Sequence, residues 1–223
     1  MRNLIVRTLV GIVFVWVLLE CTASQNVWYY ILWGVVGILS LWEFFTLLLN
    51  HSLKSKALWA VGGTLYIAAS IALIFELAPH WPLVIMMLTM VWGNDVGAFL
   101  VGISIGKHKM APKISPKKSW EGFFGGVAST IGIAVGWYYL NPSIGNINGV
   151  LEGITLGKWC IVGLIVSLGA VLGDLLESYF KRRIGVKDSG KMLPGHGGML
   201  DRFDATLLAT ILFYISITLF DLI

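Results

Sequence analysis

Apolar residues gather in long runs separated by short polar connections. Seven runs can be marked, approximately Leu4–Leu19, Val27–Leu49, Ala57–Phe75, Pro82–Ile105, Trp120–Leu140, Trp159–Leu176 and Ala205–Phe220. Each is long enough, or nearly so, to cross a hydrocarbon core about 30 Å thick at about 1.5 Å of rise per residue. Backbone groups in hydrocarbon must find hydrogen-bond partners within their own segment, so these runs predict helices. The expected fold is all-α: one polytopic membrane domain over residues 1–223, with about seven transmembrane helices.

Composition agrees with this reading. Hydrophobic residues make up 57% of the chain and charged residues 13%, about half the charged share of a soluble domain. Mean hydropathy is +0.82. Cys21 and Cys160 sit in or beside apolar runs, which is neither a disulfide framework nor a zinc pattern, and the four histidines lack metal-ligand spacing. There is no internal repeat and no low-complexity tail.

Charge supplies an orientation. Of the 16 basic residues, 15 fall before or at the beginning of the first run, or after the second, fourth and sixth; Lys158 alone lies in an alternate loop. The positive-inside rule then places the N-terminus and these basic loops in the cytoplasm and the C-terminus outside, in an inner or plasma membrane. The basic loops therefore imply no nucleic-acid partner; anionic lipid heads alone would favour them. The first run, with its basic start and small residues near Cys21–Ser24, is also similar to a cleaved leader. Glu20 stands where a small residue is wanted, so the expectation is that the span stays. Trp28, Trp81, Trp120 and Trp159 are expected to be interfacial anchors.

Acids inside apolar spans are costly and mark candidate sites. Glu43, Asn94, Asp95, Glu121, Asp174 and Glu177 lie in or at the ends of runs, most of them toward the cytoplasmic half. Glu43 is expected to be structural or snorkelling. The richest stretch is Gly173–Asp204, GDLLESYFKRRIGVKDSGKMLPGHGGMLDRFD. If the sixth helix continues into it, Asp174, Glu177, Ser178 and Lys181 share one face. Gly195, Gly197 and Gly198 would let backbone N–H groups approach an anion. Asp201 and Asp204 follow on the next helix. Carboxylates from two helices, a glycine turn and several cations could form a Mg²⁺–nucleotide site. A Walker loop is absent.

The stretch from Ser178 to Asp204 resembles the signature of the phosphatidate cytidylyltransferase family, with its serine, Lys-Arg pair, Lys-Asp pair, HGG and D-R-x-D. A second stretch, ISPKKSWEGFFGG at 114–126, is similar to the family's SPKKTWEG, with Ser119 in place of threonine. The chain is shorter than expected for the family, the shortfall lying before Ala57. The resemblance implies that CTP and phosphatidate react to give CDP-diacylglycerol and pyrophosphate at a bilayer surface. It implies Asp174 and Asp201 as ligands of Mg²⁺, singly or as a pair of cations, with Lys181 and Arg182 on the reacting phosphates. Substrate contacts would come from Asn94, Asp95, Lys117, Lys118, Ser119, Glu121, Ser178, Lys187, Asp188, His196, Gly197, Gly198, Arg202 and Asp204. His196 could instead only shape the glycine turn. A homodimer is left open. Two other classes compete: a CTP-dependent lipid kinase, which would attack the γ-phosphorus, and a cation-coupled transporter, which would place its site near the midplane between repeats.

Overall fold

The computed structural model describes residues 2–51, 55–143, 151–190 and 197–223, with side chains for 8–51, 55–140, 151–190 and 197–223. Seven α-helices follow in order: α1 (Arg2–Ala23), α2 (Val27–Asn50), α3 (Lys56–Glu76), α4 (Trp81–Ile105), α5 (Trp120–Ser143), α6 (Leu156–Arg183) and α7 (Leu200–Leu219). Six described helices are long and apolar enough to cross a membrane, and the described part of α1 is shorter but apolar. Large apolar side chains stand exposed along them, among them Trp16, Ile38, Leu58, Phe99 and Leu219. Such a surface suits lipid and not water, and the chain is a multi-pass membrane protein, nearly all helical.

Two helices extend furthest beyond their apolar runs. The sixth run ends at Leu176, yet α6 continues through Arg183. Lys181, Arg182 and Arg183 occupy its last turn, where cations favour the negative end of the helix dipole. The seventh run begins at Ala205, but α7 starts at Leu200, which brings Asp201 into its first turn. Hydropathy marks only the apolar part of each helix and misses the charged turns that extend it.

A departure from the all-helical expectation lies in the basic loop after α4. Lys109–Ala111 (β1) pairs antiparallel with Ser115–Ser119 (β2). Ile114 N–H donates to Ala111 O at 3.1 Å, closing a turn with Pro112 at its second position, where a fixed φ is favoured. His108 anchors the hairpin to α5: its Nδ1 lies 2.6 Å from Glu121 Oε1, and Trp120 N–H donates to His108 O at 2.9 Å.

The fold comprises two compact units. One is Met1–Trp81 with Phe180–Phe203; the other is Pro82–Tyr179 with Asp204–Ile223. In the first, α2 packs on α3, and buried Tyr29 donates its hydroxyl to Ile74 O at 2.5 Å. Phe180 lies between Phe44 and Trp59, with ring centroids 5.2 and 5.1 Å away. Phe203 meets Phe14 and Trp33. In the second, α4 and α5 approach closely at Gly97, where a Cβ would come 2.7 Å from Gly125 O. Trp159 donates its indole N–H to Ala134 O at 2.9 Å and packs edge-on against Phe213. These contacts fix α4, α5 and α6, the elements that carry the first group of candidate residues.

Candidate functional site

In the second unit, a cavity of about 260 Å³ is lined by residues of α4, the hairpin, α5 and α6. Its polar lining is Asn94, Asp95, Lys117, Lys118, Ser119 and Asp174. The KK pair of the second motif and Asp174, from the Gly173–Asp204 stretch, thus share one concavity. Lys118 Nζ lies 2.7 Å from Asp174 Oδ2 and donates to Val171 O at 3.5 Å. One helical turn on from Asp174, Ser178 donates to its Oδ1 at 3.2 Å. This pair remains partly open, with side chains 22% and 32% exposed.

The expected substrate residues differ in their contacts here. Asn94 is buried, and its Oδ1 accepts from Ser167 at 2.6 Å, joining α4 to α6. Asp95, one residue on, is exposed on the cavity wall. Ser119 is buried and accepts Gly122 N–H at 3.1 Å, capping α5. Glu121 holds His108 and therefore the hairpin. Four of these groups, Asp95, Lys117, Lys118 and Asp174, remain as the charged part of the cavity.

The first unit holds the second acid of the motif. Asp201 Oδ1 accepts Lys181 Nζ at 2.7 Å and Ser189 N–H at 3.0 Å; Oδ2 accepts Ser189 N–H at 2.9 Å and Gly198 N–H at 2.9 Å. The Lys181–Asp201 side chains are only 10% and 12% exposed. Gly197 has φ +84°, a left-handed conformation that favours glycine, and a Cβ there would stand 2.9 Å from Asp201 Oδ2. At Gly198 a Cβ would overlap Ser189 Oγ and Glu43 Oε2. The lack of a side chain at 198 leaves room for Ser189 Oγ and Glu43 Oε2.

Other predicted residues are placed more loosely. Arg182 is exposed and donates to Val186 O at 3.0 Å. Lys187, Asp188 and Arg202 are exposed, and Asp204 is half-buried on α7. His196 and Gly195 lie outside the described residues. Two residues carry more than the sequence assigned them. Glu43 is buried and receives hydrogen bonds from Ser189 and Leu200. Ser189 touches both Glu43 and Asp201. A single acid in the middle of an apolar run was the available signal for Glu43.

Among the described residues, no group of three or more His, Cys, Asp or Glu is arranged to hold a metal ion. Mg²⁺ does not require one, since it binds through one or two carboxylates and takes its remaining oxygens from water and phosphates. Asp95 and Asp174 line the same cavity and offer hard oxygen donors of the kind such an ion takes.

Comparison with known proteins agrees with the motifs. A segment of the Staphylococcus aureus (strain COL) phosphatidate cytidylyltransferase is 46% identical over 117 residues, 52% of this chain and 41% of the relative. The Mycobacterium tuberculosis (strain H37Rv) protein of the same name is 43% identical over 140 residues, 61% of this chain and 38% of the relative. The matched segments thus cover about two-fifths of the length of these relatives. Residues 76–220, which hold both motifs and the whole cavity, match the model of the cytidylyltransferase family, and the chain belongs to that family.

Proposed function

We propose that this chain transfers a cytidylyl group from CTP to phosphatidate, giving CDP-diacylglycerol and pyrophosphate. The observation that carries the reading is the cavity in which Lys117, Lys118, Asp95 and Asp174 meet, within a segment resembling proteins named for that reaction. A phosphatidate oxygen attacks the α-phosphorus of CTP and forms the new P–O bond. The bond from that phosphorus to the oxygen bridging to the β-phosphate breaks, and pyrophosphate leaves with the electron pair. The attacking phosphate is a monoester whose second pKa is about 6, so it is mainly dianionic at neutral pH and needs no protein base.

The obstacle is bringing two polyanions together. Lys117 and Lys118 would hold phosphate oxygens and stabilise charge gathering on the leaving group. Asp174 and Asp95 would hold Mg²⁺, which when bound neutralises phosphate charge and orients the reacting groups. Asn94 and Ser119 would keep α4 and α5 in place around the cavity. Asp201 carries the same cation assignment from the resemblance, and Lys181 a phosphate role; substitution tests each separately.

The partition of basic residues supports a cytoplasm-facing site in an inner or plasma membrane. Cysteines introduced at Lys113 and Lys187 should then escape an impermeant thiol reagent in intact cells, whereas one at Asn148 should react. The reaction is tested with purified protein, CTP and phosphatidate by identifying both products. Pyrophosphate with CDP-diacylglycerol is expected, abolished by chelating Mg²⁺. CDP with a newly phosphorylated lipid would instead make the protein a lipid kinase.

A further inference from the structure

Glu43 lies within the apolar helix α2 and is 3% exposed. An acid that far from water is costly unless donors surround it. Its donors are Ser189, after α6, and Leu200, at the start of α7, 146 and 157 residues along the chain. Ser189 Oγ donates to Oε2 at 3.0 Å, and the N–H of Leu200 donates to the same oxygen at 2.9 Å. Leu200 is the first residue of α7, so its N–H is one that the helix itself leaves without a partner. An acid there also faces the positive end of the helix dipole.

Ser189 carries this anchorage onward. Its hydroxyl accepts the N–H of Asp201 at 3.3 Å, while its own N–H donates to both Asp201 oxygens. One serine therefore bonds Glu43 through its side chain and Asp201 through side chain and backbone together. Two glycines make room for the acid: a Cβ at Gly190 would stand 2.6 Å from Glu43 Oε1, and one at Gly198 would overlap Oε2. Ser189, Gly190 and Gly198 belong to the long motif, and Glu43 accounts for the space around all three.

We propose that Glu43 is a positioning residue, which clamps the α6–α7 connection through Ser189 and Leu200 and so fixes the direction of the Asp201 carboxylate and of the Lys181 ammonium bonded to it. The link to catalysis rests on the proposed cytidylyl transfer; the clamp itself does not. An acid serving only as packing would affect stability and leave the reaction of the folded protein alone.

The test compares purified wild type, E43Q, S189A, E43L and E43Q/S189A. E43Q should lower kcat about tenfold, with KM for CTP and phosphatidate within about twofold of wild type. S189A should do the same. Both changes break the Glu43–Ser189 bond, although S189A also removes the acceptor of the Asp201 N–H, so the double variant should lose well under the hundredfold of independent sites. Glutamine keeps an acceptor that leucine lacks, so E43Q should retain about tenfold more activity than E43L. If E43L fails to fold, the comparison of E43Q with S189A and their double variant decides. Hydrogen exchange gives a readout independent of the reaction: amides in 197–203 should exchange about tenfold faster in E43Q, with those of α4 and α5 unchanged. A lower melting temperature with wild-type kcat, independent additive losses in the double variant, or unchanged exchange at 197–203 would each overturn the clamp. If the wild type makes no CDP-diacylglycerol, the proposed reaction fails while the exchange result still judges Glu43.

Discussion

The same ion pair occurs twice in two settings. Lys118–Asp174 and Lys181–Asp201 both close at 2.7 Å. Asp174 has one lysine and one serine as partners, lies on a cavity wall and is 32% exposed. Asp201 has a lysine and two backbone N–H groups and is 12% exposed. An open carboxylate can exchange a lysine for a ligand at small cost. One enclosed by fixed donors also holds a segment of chain in shape. The same pairing thus stands in two settings, one acid open on a cavity and one surrounded by protein donors.

The difference predicts which property fails first in each variant. D201A removes the acceptor shared by Lys181, Ser189 and Gly198 and leaves an ammonium 10% exposed without that carboxylate. It should cost about 3 kcal/mol of stability, seen as a lower denaturation midpoint in detergent. A D201A protein as stable as wild type would erase the distinction between the two acids. K117Q/K118Q, in the cavity, should leave the midpoint nearly unchanged and raise a substrate KM or lower kcat about tenfold, about 1.4 kcal/mol. Unchanged kinetics would return both lysines to the general positive-inside bias. The smallest effect is expected for S119A, which removes the α5 cap and should cost about 1 kcal/mol of stability. Its KM for CTP should stay within about twofold of wild type; a larger rise would place the hydroxyl on substrate.

Much of this is legible in the order of residues alone. The apolar runs locate the helices, because lipid demands length and apolarity together. The two motifs single out Asp174, Asp201 and the Lys117–Lys118 pair. The choice of partners is not legible. Nothing in the sequence says that Lys118 meets Asp174 while Lys181 meets Asp201, since packing across distant helices decides it. The hairpin escapes a reading by periodicity because its strands are 3 and 5 residues long and hold only two register pairs, with His108 and Glu121 anchoring them. Ser119 and Glu121 stand in a motif that suggests substrate contact, yet their hydrogen bonds go to the α5 backbone and to His108. Glu43 announces itself only as an acid in an apolar run, and its partners lie in the α6–α7 connection.

Under the proposed reaction, the carboxylate of Asp174 serves catalysis and not the fold. D174N keeps the size of the side chain and removes its charge. Turnover of CTP with phosphatidate should be compared for D174N and wild type at matched folded amounts, with melting followed on the same samples and Mg²⁺ titrated. An unchanged midpoint is expected, with a loss of at least roughly a hundredfold in turnover, about 2.7 kcal/mol, and only partial rescue by excess Mg²⁺. A folded D174N that turns over at the wild-type rate at low Mg²⁺ would contradict that role.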